Sequence, residues 1–206
     1  MSGNRSRKLV RQSRALGIAL SPKAEKYMQR RSYRPGEHGR GRVKDSDYSV
    51  RLKEKQRLRA QYGIREAQMR RVWEEARRAE GLSGENLVEL LEMRLDALVL
   101  RAGFARTIAQ ARQVVVHRHL LVDGKIVDRP SYRVRPGQVV QVKPRSQASP
   151  QFHVAAQGAH RDVLPQVPDY LDVDLEKLRF TLVRRPKRAE VPVICDVQMV
   201  VEHYSR

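Results

Sequence analysis

Within fifty residues, from Arg94 to Lys143, the apolar positions of this chain change period from that of a helix to that of a strand. That switch restricts what the segment can fold into. Leu87, Leu91, Leu95 and Leu98 recur at helical spacing and mark a core-facing stripe, which Gly103 ends. Thr107 stands where an N-cap is needed, with Gln110 three residues later as the partner in a capping box. Ala111, Val114 and Val115 supply the buried side of this second helix, leaving Arg106, Arg112 and Gln113 facing outward. After His119 the pattern becomes that of a strand. Asp123-Gly124 lies between apolar runs as a hairpin turn, and Pro136-Gly137 makes a second turn before VVQVK. Two helices backed onto a small twisted antiparallel sheet satisfy both patterns, each burying its apolar face on the other.

Charge sets the flanks apart from this segment. The 206 residues carry 42 Lys and Arg against 23 Asp and Glu, a formal net charge of +19, which favours a polyanionic partner. Residues 1–60 hold 18 basic and 5 acidic side chains, so about two-thirds of the excess lies in the first third of the chain. Residues 1–44 add turn formers at Gly17, Pro22, Pro35-Gly36 and Gly39 to Gly41. They read as a self-repelling basic arm with one or two short helices. Residues 45–93 read as helical: Leu52, Leu58 and Tyr62 fall towards one side with five basic groups around the rest. Gly63 interrupts; Ile64, Gln68, Met69, Val72, Trp73 and Ala76 then continue the stripe, and Ser83 is placed to cap the next helix. Beyond residue 150 the apolar pieces are short, with three prolines by 168 and an acidic stretch from Asp169 to Glu176. The fold class is α+β.

Several function classes drop out. Cys195, the single cysteine, excludes an internal disulfide and sits among Val193, Ile194 and Val197 as a small hydrophobe. No apolar run reaches the roughly 18 residues that cross a bilayer, and the opening MSGNRSRKLVRQSR lacks the hydrophobic stretch of a secretory signal. His117 and His119 have no Cys, Asp or Glu cluster beside them, and Asp169, Asp172, Asp174 and Glu176 fit no cation-binding loop. No metal and no cofactor are expected. Aromatic residues make up 5% of the chain, and Tyr62 and Trp73 at helical spacing read as core, so few rings remain for stacking on bases. Abundant Arg and Lys suit recognition of shape and phosphate geometry instead.

Taken in order, Arg94-Leu95-Asp96, Gly103, the Thr107 cap, Ala111-Arg112-Gln113, His117, Val122, Gly124, Pro130-Ser131-Tyr132 and Gly137 resemble the RNA-binding domain first described in small-subunit ribosomal protein S-four. That domain also occurs in RNA-modifying enzymes, a heat-shock RNA-binding protein and one class of tRNA synthetase, so its surroundings decide. PGEHGRGR at 35–42, SDYSVRLKEKQRLRAQYGIREAQMRR at 46–71, GENLVELLEMRLD at 84–96, VPDYLDVD at 167–174 and VVEHYSR at 200–206 each resemble the bacterial S-four family, in the family's order. Two positions depart. His117-Arg118-His119 stands where a glycine usually separates two histidines, and a different local turn is expected because arginine lacks glycine's freedom at positive φ. Asp123 replaces a usual asparagine, and its charge argues against a phosphate contact. The four-cysteine zinc knuckle of some members has no counterpart in the first forty residues.

The resemblance implies a basic arm at 1–44, a helical body at 45–93, an inserted RNA-binding module at 94–149, and a segment at 150–206 that packs back on the body. It implies a structural, non-enzymatic constituent of the small ribosomal subunit that binds small-subunit ribosomal RNA, clamps a five-way helix junction and nucleates assembly. Contacts to RNA are expected from Arg94, Asp96, Arg106, Thr107, Gln110, Arg112, Gln113, His117, Gly124 and Lys125 in the module. The body would add Arg51, Lys53, Lys55, Arg57 and Arg59, and the arm Arg5, Arg7, Lys8, Arg11 and Arg14. Arg40, Arg42 and Lys44 match the loop beside the mRNA entrance channel, where the family influences decoding accuracy. Small-subunit protein five is the implied protein neighbour and the cytoplasmic ribosome the implied location; membrane and DNA are not implied. A pseudouridine synthase bearing the same module would need a large catalytic domain, for which no contiguous stretch remains. A free stress-response RNA-binding protein would be shorter and lack the matches at 46–71 and 167–174.

Overall fold

Residues 2–16 form one helix, α1 (Ser2–Leu16), in a computed structural model that describes residues 2–41, 44–160 and 162–205, with side chains from residue 8 onward. Gly17, at φ +70°, ends α1, and Ser21 starts α2 (Pro22–Arg30) by accepting the Ala24 N–H at 3.2 Å. The arm is therefore more helical than its turn formers suggested. The reason is compositional and tertiary: Arg, Lys, Gln and Leu are good helix formers, and the last turn of α1 is anchored. Ser13 is fully buried, donates to Leu9 O at 2.9 Å and accepts the Leu20 N–H. Arg57 Nε then donates to the orphan Leu16 carbonyl at 2.8 Å.

Ser46 caps α3 (Asp47–Gln61) through the Ser49 N–H, and Gly63 at φ +59° turns the chain into α4 (Glu66–Arg78). Leu58, Tyr62, Met69, Val72, Trp73 and Ala76 are buried as their spacing required. Two compact units share the chain: one runs to Met69 and resumes at Val193, and the other takes Arg70 to Pro192.

In the second unit the leucine stripe is divided between α5 (Ser83–Glu92) and α6 (Leu95–Arg101); Leu87, Leu91, Leu95 and Leu98 are all fully buried. Ser83 lies inside α5 rather than capping it, with Leu82 at the cap position. Between the two helices, Leu95 N–H donates to Tyr132 O at 2.8 Å and Val134 N–H to Met93 O at 2.9 Å, so a distant loop closes the break. Then follow α7 (Ile108–Val116), β1 (Leu120–Val122), β2 (Lys125–Ile126), β3 (Val139–Val142), the short α8 (Pro144–Gln147) and α9 (Pro150–Ala156), β4 (Leu171–Asp174) and β5 (Arg179–Leu182).

The sheet has five strands in the order β2-β1-β3-β5-β4, every neighbour antiparallel. Val140 stands opposite Val122 on one side and Phe180 on the other, and these residues with Val142, Leu120 and Leu182 form the buried face. Phe104 meets Phe180 edge-on at 5.5 Å. Tyr170, just before β4, donates its hydroxyl to the buried Glu92 at 2.7 Å, and Arg101 Nε donates to the same oxygen at 2.6 Å. Burial and the Glu92 charge raise the Tyr170 hydroxyl far above its ordinary pKa, so it stays protonated as the donor.

Residues 150–206, expected to pack as one segment on the helical body, instead divide. Alternating Phe180 and Leu182 give β5 an apolar face that completes the sheet beside β3, where its backbone groups are satisfied. A 3-10 turn (Arg188–Glu190) contacts α5, while α10 (Val197–Tyr204) packs on α3 and Ile194 before it bonds through its backbone to the Gln61 side chain of α3.

Candidate nucleic-acid interface

Asp96 is fully buried at the start of α6 and organises the charges around it. Its carboxylate accepts a parallel fork from Arg94, Nε at 3.0 Å and Nη2 at 2.9 Å, and a third bond from Arg112 Nη2 at 2.9 Å. Arg94 is only 4% exposed. The expectation that Arg94 and Asp96 face RNA is therefore corrected: a buried carboxylate is tolerable only with cations and hydrogen bonds around it, and Arg94 is spent on that task. Arg112, with 36% of its side chain exposed, is the member that reaches the surface. Asp96 acts as a positioning residue for it.

On α7, Thr107 accepts the Gln110 N–H at 3.2 Å, while Gln110 Oε1 accepts the Arg106 N–H at 2.9 Å. The reciprocal cap thus reaches one residue further back than the box read from the sequence, and both Thr107 and Gln110 are partly buried in doing it. Burial of Ala111, Val114 and Val115 leaves Gln113 exposed on the helix, with Arg106 exposed just before its cap and His117 exposed at its C-terminal end.

Both positions that depart from the family pattern lie in or beside the hairpin beyond α7. Asp123 and Gly124 have φ of +46° and +78°, as a two-residue turn of the favoured hand requires. Asp123 Oδ1 accepts the Val139 N–H at 2.9 Å and Oδ2 accepts Gln138 Nε2 at 2.7 Å, so its carboxylate ties this turn to the next one. Arg118 adopts φ +61°, in the left-handed region that glycine enters freely, and its guanidinium pairs with Asp128 at 3.0 Å. His119 meets Ser146 Oγ at 3.0 Å through Nδ1 and packs edge-on against Phe152. Burial first, then the charges of His117 and Lys143, hold its pKa below the ordinary imidazole value. Gly124 and Lys125 are exposed at the hairpin tip.

The five cations expected from the body, all on α3, have internal carboxylate partners. Lys55 pairs with Glu66 at 3.0 Å, Arg57 with Glu54 at 2.5 Å, Arg59 with Glu66 at 3.8 Å and Arg51 with Glu202 at 3.7 Å; Lys53 pairs with Asp45. Lys55 is the clearest correction, since its side chain is 7% exposed and cannot present charge to RNA. Its surroundings were set by residues far along the chain: Tyr204 donates to Glu66 at 2.9 Å, and Glu54 accepts the Asp196 N–H at 2.9 Å. Burial raises the Glu66 carboxyl, but hydrogen bonds from Lys55 and Tyr204 with the nearby charges outweigh it and hold the group below its ordinary pKa.

Residues 4–92 match the family described as ribosomal protein S4/S9 N-terminal domain, and residues 93–140 match the S4 domain. The small ribosomal subunit protein uS4 of Beutenbergia cavernae is 75% identical over 206 residues, covering 100% of this chain and 99% of its own. The proteins of that name from an Arthrobacter species and from Micrococcus luteus are 73% and 71% identical, each over 100% of this chain and 99% and 100% of their own. The chain belongs to the uS4 family of small ribosomal subunit proteins.

The S4-domain match begins at residue 93, beside the Arg94 and Asp96 pair that opens α6. Within the N-terminal match, Lys8 and Arg11 are exposed on α1. Arg14 is partly buried, its Nε donating to Tyr33 O at 3.1 Å, and both it and the exposed Arg40 lie over the Tyr33 ring at 4.9 and 4.8 Å. Lys44 is exposed. Arg42 lies outside the described residues, as do the side chains of Arg5 and Arg7.

Two features of this uS4 chain escaped the sequence reading. Arg70, Arg71, Arg77 and Arg78 are all exposed on α4, opposite the buried Met69, Val72, Trp73 and Ala76. Their spacing, complementary to the apolar stripe, was signal enough to find them. Tyr48 is also exposed, and no periodic signal distinguishes it from a core tyrosine.

Proposed function

We propose that this uS4 family member binds small-subunit ribosomal RNA as a structural clamp, holding the angles of a multi-helix junction and nucleating assembly of the subunit. The observation that carries this reading lies around α7: Arg106 before the helix, Gln113 on it and His117 at its C-terminal end are exposed, and Arg112 is held at the surface by the buried Asp96. Cations held in fixed positions match a fixed phosphate geometry at little entropic cost. Lys125 at the hairpin tip, Lys8 and Arg11 on α1, and the α4 arginines extend the cationic surface of each unit. Arg40 and Lys44 suit mRNA at the entrance channel, with a bearing on decoding accuracy, and the family supplies small-subunit protein five as the protein neighbour. The ribosome of the cytoplasm is the place of action, and no helix among the described residues is long and apolar enough to cross a membrane.

Filter binding to transcribed small-subunit ribosomal RNA, against a generic duplex of equal length at physiological salt, tests this reading. Selective binding that falls with salt is the expected result, with a slope of roughly 0.7 to 0.9 in log affinity per neutralised phosphate. Equal affinity for both RNAs, or failure of the protein to sediment with small subunits from its own cells, would refute it.

A further inference from the structure

A cavity of about 450 Å³ lies in the second unit where two of its helices end. Gly103, at φ +78°, follows α6, and Gly158, at φ +69°, follows α9; both line it. So does His160, which is only 7% exposed. Its Nδ1 meets the Gly103 carbonyl at 2.8 Å. A carbonyl only accepts, so Nδ1 carries the hydrogen, and the neutral ring then presents Nε2 as an acceptor. The backbone beside the ring is fixed as well, since the His160 carbonyl accepts the Val163 and Leu164 N–H groups at 3.1 and 3.0 Å. Among the described residues no protein group bonds Nε2, yet no side-chain nitrogen or oxygen is sealed in without a partner. Nε2 is therefore open to the cavity that His160 lines.

Ala102, Ala155, Leu164, Val167 and Leu175 make most of the remaining wall apolar. Arg101 also lines it, but its side chain is 11% exposed and donates to the buried Glu92 at 2.6 and 3.3 Å, so its charge is already matched. An anion gains little there. A neutral molecule that is mostly apolar and carries one N–H or O–H gains twice, because its carbons leave water and its donor satisfies Nε2. The volume falls in the range of small-molecule sites, about 300–1,000 Å³. We infer that this cavity is a binding site for a small, neutral, largely apolar molecule with one hydrogen-bond donor, of the class of indoles and phenols. His160 is the residue that selects the donor. Much of the wall lies between residues 155 and 175, beyond the S4-domain match that ends at 140, and the site does not depend on the RNA-binding reading.

The test titrates the full chain, free of RNA, with indole at about pH 8 and follows the backbone amides by two-dimensional NMR. Saturable shifts centred on Gly103, Ala155 and Gly158 are expected, with a dissociation constant of roughly 10 μM to 1 mM for so small a ligand. N-methylindole keeps the rings and lacks the donor, and should bind roughly 3- to 10-fold more weakly, the worth of one hydrogen bond. His160→Asn retains an N–H for the Gly103 carbonyl and removes Nε2, so the preference for indole should vanish while the melting temperature holds. Val167→Trp places a ring in the cavity and should abolish binding of both compounds. No saturable shift at millimolar indole, shifts centred elsewhere, or equal affinity of the parent for the two compounds would overturn the inference. So would a preference that survives His160→Asn, or parent-like binding by Val167→Trp. Tighter binding of an indole carboxylate than of indole would make Arg101 the recognising group, and that too overturns it.

Discussion

Helices α3 and α7 carry the same kind of side chain and use it in opposite ways. Five cations on α3 all lie within 4 Å of a carboxylate of the same unit, supplied by α3 itself, the loop before it, α4 and α10. Around α7, Arg106 just before the helix and Gln113 on it are exposed, and Arg112 is bonded to Asp96 with 36% of its side chain still outside. The first arrangement joins segments nearly 150 residues apart. The second presents charge outward from a buried anchor. Positive charge on a helix in a basic protein is thus not evidence of contact with nucleic acid until the carboxylates around it are known.

The sharpest way to break this contrast is Asp96→Ala. Removing the carboxylate leaves Arg94 buried without its counter-ion, and a loss of about 3–5 kcal/mol is expected in urea unfolding. A loss below about 1 kcal/mol would mean that the anchor is dispensable. Next comes Lys55→Met, which removes a buried partner from the half-exposed Glu66; about 1–2 kcal/mol should be lost after allowing for solvent screening. Its salt slope for RNA should equal the parent's, and a shallower one would return Lys55 to the RNA-contact set. Arg106→Ala should do the reverse: stability within about 0.5 kcal/mol of the parent, and a slope reduced by roughly 0.7 to 0.9 for one phosphate.

One histidine in each unit offers a finer comparison. His119 and His203 both have pKa values lowered first by burial. Each neutral ring contributes stability that is complete above the ordinary imidazole pKa and is lost as pH falls through its own lower value. NMR titration should find both midpoints below the ordinary value, and a raised midpoint for either would contradict the packing described. The smallest effect expected is a gain. Arg118→Gly relieves a left-handed residue at φ +61°, losing the exposed pair with Asp128 in exchange, and should raise stability by under about 1 kcal/mol in thermal melts. A lower melting temperature would show that the Asp128 pair outweighs the strain.

Thr107, Asp123-Gly124 and the leucine stripe were legible because caps, tight turns and periodicity are written by residues a few positions apart. Asp96 was misread for the opposite reason. Its neighbour Arg94 and the distant Arg112 converge on it only once α6 and α7 pack, and nothing in the spacing of Arg94-Leu95-Asp96 distinguishes a buried fork from an exposed pair. Asp123 was half legible: its turn was clear, but its role as acceptor for Val139 and Gln138 needed the second turn beside it. The α4 arginines were readable and overlooked, whereas His160 became visible only when the chain after α9 returned to the end of α6.

By itself the sequence determined the cationic character of the protein, the two-helix and strand order between 94 and 143, and, through its motifs, the uS4 family. Tertiary structure decided which charges remain available. Local patterns are governed by bonds and periods along the chain, but the fate of an ionic group depends on desolvation and on counter-charges brought from elsewhere. Lys55, Arg94 and Asp96 are buried among such partners, while Arg106 is left in solvent, and only packing could sort them.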